Sequence, residues 1–93
     1  MQGVYRGLAS LLRAGLVPSE ALRALRDNGT LRDPLGTLLQ ETVAAGTPLS
    51  QALAAHVSDV TPEELAIVEA GETSGRLDQN LDRLARLREV RQV

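Results

Sequence analysis

The sequence predicts an all-α fold, a compact bundle of about six short helices, and three observations carry that expectation. Tyr5 is the only aromatic residue, there is no Phe or Trp, and the apolar content is nearly all Leu, Ala and Val. Leu and Ala are strong helix formers, whereas sandwiches and barrels draw on aromatic and β-branched residues. Apolar positions also recur at three- and four-residue spacing between Gly, Pro and Ser/Thr/Asp punctuation, the mark of short amphipathic helices. The third observation is size: 93 residues, 43% hydrophobic and 24% charged, suit a single domain over residues 1–93 with one modest core.

The elements follow in order. Val4, Leu8, Leu11 and Leu12 share one face of a first helix that ends near Ala14, with Gly15 as its left-handed terminator. Ser19 is the expected cap of a second helix, with Leu22 and Leu25 inward and Asn28-Gly29 closing it. Asp33-Pro34 reads as a cap followed by proline at the first helical position, opening a third helix with Leu35, Leu38, Leu39 and Val43 inward and a stop at Gly46. Ser50 is the expected cap of a short fourth helix carrying Ala52, Leu53 and His56. Thr61-Pro62-Glu63-Glu64 is the strongest local signal: Thr61 accepts from the third backbone N–H, Glu64 reaches back, and two carboxylates suit the positive helix end. This fifth helix is expected to bury Leu65 and Val68 and to end at Gly71. After Ser74-Gly75, Leu77, Leu81, Leu84 and Leu87 or Arg88 continue at helical spacing towards Val93.

An imperfect repeat runs through this pattern. Residues 14–22 align without gaps to residues 45–53, matching at Ala, Gly, Ser, Ala and Leu, and a third Ala-Gly step at Ala70-Gly71 precedes Ser74. The repeated unit is a sharp helix-to-helix corner, produced either by duplication or by reuse of one local solution. Charge is segregated along the chain. Residues 1–32 balance to +3, residues 57–72 to −5 through Asp59, Glu63, Glu64, Glu69 and Glu72, and residues 73–93 to +2. The fifth helix is thus an acidic strip between basic segments, a solvated face or a docking surface.

Several chemistries have little to work with. No cysteine is present, so there is no disulfide or thiolate site, and His56 is the single histidine. A net charge of −2 and a pI near 5.3 give no general attraction to nucleic acid. No apolar run approaches the roughly 18 residues of a membrane span, so the chain as given is expected to be soluble. No catalytic residue, cofactor or metal is expected. All ten basic residues are Arg, which holds planar carboxylate pairs better than Lys.

Three segments in order, Leu11 to Leu22, Val43 to Leu53 and Val68 to Leu77, carry a leucine-rich helix into Ala-Gly, a Gly-x-x-Leu-Ser-x-Ala-Leu corner, and a Gly-Glu-x-Ser-Gly-x-Leu turn. In the last of these, Gly71, Glu72, Ser74, Gly75 and Leu77 match in register. Together they resemble the cytoplasmic F domain of type II secretion and type IV pilus platform proteins, over nearly the whole chain from about Val4 to Glu89. The resemblance implies a six-helix bundle on the cytoplasmic face of the bacterial inner membrane, without enzymatic activity. It implies a docking and self-associating module whose partners are other platform subunits, the assembly ATPase and pilin- or pseudopilin-side membrane components. Two departures stand out. Such proteins carry membrane helices after this domain and usually a second copy of it, so ending at Val93 suggests an excised piece or a stand-alone relative; and Asp59-Val60-Thr61-Pro62 lacks the aromatic residue common there.

The candidate interaction residues are Glu63, Glu64, Glu69, Glu72, Arg83 and Arg86, and the candidate structural turns are Gly15, Gly46, Gly71, Ser74 and Gly75. Glu72 has three readings: a cap for the last helix or for N–H groups across the turn, a partner contact, or a divalent cation site shared with Asp78. Gly71 to Gly75 looks superficially like a phosphate loop but lacks the Lys-Ser/Thr ending and a preceding strand. His56 reads as a packed structural histidine. Arg83, Arg86 and Arg91 with Asp82 and Glu89 give the last helix a mixed-charge outer surface, solvated or facing anionic headgroups. The competing reading is a small helix-turn-helix DNA-binding regulator, weakened by the net negative charge.

Overall fold

Apolar residues at helical spacing, cut by glycine corners, fold back on one another as six helices in the computed structural model, which describes residues 3–91. They are α1 (Val4–Arg13), α2 (Pro18–Asp27), α3 (Leu35–Ala44), α4 (Leu49–His56), α5 (Pro62–Ser74) and α6 (Leu77–Arg91), with no strand among the described residues. The expected run of the last helix as far as Val93 lies partly outside the described residues. Each helix packs on its neighbour in the chain, and α1 returns against α6 to close the ring. A radius of gyration of 11.9 Å matches the roughly 12 Å expected for a compact chain of this length.

The core is aliphatic. Val4, Leu8, Leu22, Leu25, Leu39, Leu53, Val68, Leu81 and Leu84 are buried as the spacing predicts, and Tyr5 adds the one large ring. Leu38 departs from expectation. It is 44% exposed, because α3 turns Leu35, Leu39 and Val43 inward at i, i+4, i+8 and leaves Leu38 to one side.

Two corners are built alike. After α1, the Gly15 N–H donates to Leu12 and the Leu16 N–H to Leu11; after α3, Gly46 donates to Val43 and Thr47 to Thr42. These paired backbone bonds form a Schellman motif, which needs a left-handed residue, and Gly15 and Gly46 supply it at φ 104° and 106°. The repeat in the sequence is therefore a repeat of one corner geometry.

The starts of the next helices differ from expectation. Ser19 and Ser50 do not cap. Each sits one position inside its helix, because Val17 and Pro48 take the extended cap positions and Pro18 the first helical one. Ser74 likewise is the last residue of α5 rather than a cap for α6. In α2 the Glu20 carboxylate instead accepts from the Val17 N–H at 3.2 Å. Asp33 stands one position before the cap of α3, since Pro34 is the cap and not the first helical residue, yet its carboxylate accepts from the Thr37 N–H at 2.9 Å and its hydroxyl at 2.7 Å. The Thr61 capping box forms in full, with bonds of 2.9 and 3.2 Å.

Gly71 is not a terminator. It lies buried inside α5, which runs on to Ser74, and Gly75 in the left-handed region ends the helix. A Cβ on Gly71 would meet the Leu77 Cα at 2.9 Å and the Asn80 Cβ at 3.0 Å, so this glycine lets α6 approach α5 closely. Asn80 bonds the Ile67 carbonyl at 2.8 Å across the same contact. Gly71→Ala gains roughly 0.5 to 1 kcal/mol of helix propensity. It loses more, roughly 1 to 3 kcal/mol, because backbone must move. A melting temperature lower by several degrees is expected in a thermal scan.

Candidate functional site

The three glycine corners meet at one pole of the bundle. Residues from Leu12 to Ser19, Val43 to Leu49 and Gly71 to Asp78 line a common cleft there. At its base Glu72 accepts from the backbone N–H of Ser50 at 3.0 Å and from the Ser50 hydroxyl. The expectation that this carboxylate bonds across a turn thus takes a specific form: it serves the start of α4, not α6. Ser50 is 8% exposed, so without Glu72 its N–H would be buried with no partner. No group of three or more His, Asp or Glu side chains among the described residues is placed to hold a metal ion.

At the other pole lies a polar knot. Glu64, only 2% exposed, receives both prongs of Arg88, Nε to Oε2 at 2.7 Å and Nη2 to Oε1 at 3.0 Å, besides its Thr61 bond. Arg88 also reaches Asp59 and stacks over the Tyr5 ring at 5.1 Å from its centre. Burial works to raise the Glu64 carboxyl, but the bonds and charge of Arg88 and the bonds at Thr61 outweigh it and hold it below its ordinary value. Burial pushes the Tyr5 hydroxyl up to about 12, against the lowering effect of Arg88. Glu64 was expected on the interaction surface, and the structure corrects that: it is consumed inside the fold. Arg88 was the residue the spacing left open beside Leu87. An arginine in phase with Leu77, Leu81 and Leu84 was the signal for a buried partner.

Along the α1–α6 seam Arg6 pairs with Glu89 at 2.7 Å and Asp82 at 3.4 Å, and Arg13 with Asp78 at 3.7 Å. These pairs run antiparallel and spend the acids of α6. On α5 and α6, what remains outward is separated by sign. Glu63 and Glu69 on α5, and Arg83 and Arg86 on α6, are exposed and make no ion pair among the described residues. The Arg91 side chain lies outside the described residues. His56 is half-buried, its Nε2 3.1 Å from the Thr42 hydroxyl; since that hydroxyl donates to Leu38 O, the ring nitrogen is the donor.

Comparison with known proteins uses nearly all of this architecture. The family profile of type II secretion system protein F matches residues 4–92, spanning all six helices. The chain belongs to the type II secretion system protein F family. Among individual relatives of this F-family chain, the type IV pilus assembly protein TapC of Aeromonas hydrophila is 33% identical over 92% of the chain and 21% of its own length. The type 4 fimbrial assembly protein PilC of Pseudomonas putida is 34% identical over 96% of the chain and 23% of its own length. The type II secretion system protein F of Aeromonas hydrophila is 39% identical over 96% of the chain and 24% of its own length. The chain therefore spans less than a quarter of the length of these relatives. The helix-turn-helix alternative finds no support in these matches. No helix among the described residues is long and apolar enough to cross a membrane.

Removing one partner of the buried pair leaves a charge stranded, which costs roughly 3 kcal/mol or more. Arg88→Met is expected to lower the unfolding free energy from a urea titration by that amount. Because the folded protein holds Glu64 below its ordinary 4.5, its contribution is present above that value and lost as pH falls through the folded value. Stability measured against pH should therefore fall on the acid side, with a shallower fall in Glu64→Gln. At the cleft, Glu72→Ala orphans the start of α4 and is expected to cost roughly 1 to 3 kcal/mol. A double-mutant cycle with Ser50→Ala should show coupling between the two residues, against none for Ser19→Ala.

Proposed function

We infer that this chain is a non-enzymatic docking domain of an inner-membrane assembly platform, held on the cytoplasmic face of a bacterial inner membrane. It self-associates and meets the assembly ATPase, and residues 1–93 act as one unit in doing so. Pilin- or pseudopilin-side membrane components are further partners, and membrane association runs only through segments outside this chain. The relatives, two pilus or fimbrial assembly proteins and a secretion system component, support the setting. The observation that carries the docking reading is the separation of unspent charge. On the last two helices, internal ion pairs engage Arg88 with Glu64 and Asp59, and Asp78, Asp82 and Glu89 with Arg6 and Arg13, leaving Glu63 and Glu69 exposed on α5 and Arg83 and Arg86 on α6. Complementary rim charges of this kind steer encounter and set register more than they set affinity.

Reversing Glu63 and Glu69 together to Arg removes the acidic face without touching the buried pair. The variant is expected to keep its helical content and melting temperature within a few degrees. Its self-association, followed by sedimentation at low salt, and its binding to the cognate assembly ATPase are expected to weaken about tenfold, with the difference shrinking as salt is raised. Unchanged association and unchanged ATPase binding in the folded variant would overturn the steering role.

A further inference from the structure

The cleft at the corner pole has a volume of about 720 Å³, within the range of functional sites. It is hollow for a local reason. Gly46 and Gly75 on its wall carry no side chain, and a Cβ at either would meet nothing within 4 Å. Its lining is largely aliphatic, with Leu12, Leu16, Val17, Val43, Leu49 and Leu77, and Val17 is 54% exposed where nothing covers it.

The chemistry of the rim selects among occupants. Three helices begin around this cleft, and helix starts commonly attract anions. At the starts of α2 and α4 donors are spent or missing: Pro18 has no N–H, the Val17 N–H is taken by Glu20, and the Ser50 N–H by Glu72. The only cation on the lining, Arg13, is engaged with Asp78. Glu72 is left with two neutral donors and no basic partner among the described residues. The adjacent helix end offsets only about half an elementary charge. A second anion beside the Glu72 carboxylate is therefore disfavoured, and a cation beside an apolar group is favoured. The cleft is also open to solvent. Small-molecule sites usually bury about 70 to 90% of the ligand, which suits a more enclosed cavity. An open apolar notch suits an anchoring side chain presented by another protein.

We propose that this cleft docks a segment of a partner protein that presents a leucine-sized side chain beside an arginine or lysine. The aliphatic group packs on Leu16, Val17 and Leu77, and the cation meets Glu72. None of Glu63, Glu69, Arg83 and Arg86 lines the cleft, so this contact and the charge-steered docking above fail independently.

The test is an NMR titration of the isotope-labelled full chain with a short helical peptide carrying leucine and arginine one turn apart. A counterpart with glutamate in place of arginine is the control. Shifts are expected to concentrate at Leu16, Val17, Thr47 and Leu77. The arginine peptide should bind about two- to fivefold more tightly than the control, an advantage that Glu72→Gln abolishes while keeping one of the two oxygens that accept from Ser50. Val17→Ser, on the exposed rim, should weaken the arginine peptide about tenfold through lost apolar contact, and it gives a readout even if Glu72→Gln unfolds. Shifts spread over other faces, equal binding of both peptides, an advantage that survives Glu72→Gln, or indifference to Val17→Ser would each overturn the proposal.

Discussion

An arginine drawn into an apolar seam organises much of this bundle. Arg88 stands in phase with the buried leucines of α6, and its guanidinium is held by the carboxylate that also completes the α5 cap, by Asp59 in the preceding turn and by the face of Tyr5 on α1. One charge thereby joins the fifth helix, the turn before it, the last helix and the first. The core has no other aromatic residue, and fully burying a Leu or Val contributes only roughly 1.5 to 3 kcal/mol. Such a core resists a charge poorly unless each oxygen is met, and the two Glu64 oxygens are met by the two prongs of Arg88 and the Thr61 N–H.

The same arithmetic shapes the surface. A charge used inside the fold is lost to a partner, and the seam between α1 and α6 uses three acids of α6. Segment balances from the sequence thus overstate the acidity available on α5, since Glu64 and Asp59 are engaged. They understate the basicity of α6, since its acids are engaged while Arg83 and Arg86 are not. Charge contrast between the two helices is sharper in space than along the chain.

What was legible in the residues was whatever depends on near neighbours. Helix number, the glycine corners, the Thr61 box and most inward leucines all follow from contacts within a few positions. Readings failed where a distant group intervened. Ser50 looks like a cap by its neighbours, yet a carboxylate twenty-two positions away does that work from outside the helix. Gly71 looks like a stop because Ala-Gly stops two other helices, yet here the demand is for room beside Leu77 and Asn80. Glu64 looks exposed because most first-turn carboxylates are, and its burial depends on an arginine on another helix. The motif Gly-Glu-x-Ser-Gly-x-Leu is therefore read best as a tertiary device: its glycine admits α6 and its glutamate finishes α4.

The antiparallel seam of α1 with α6 has a consequence for how the domain is mounted. Arg6 lies opposite Glu89 and Arg13 opposite Asp78, so the beginning of the first helix and the end of the last emerge side by side. The cleft lined by Leu12, Gly46 and Leu77 sits at the reverse end. A longer chain can thus enter and leave through one small footprint, like a lamp on a single bracket. The corner cleft opens at the pole opposite that footprint, and the packing of α1 on α6 that closes the bundle is also what brings the two chain ends together.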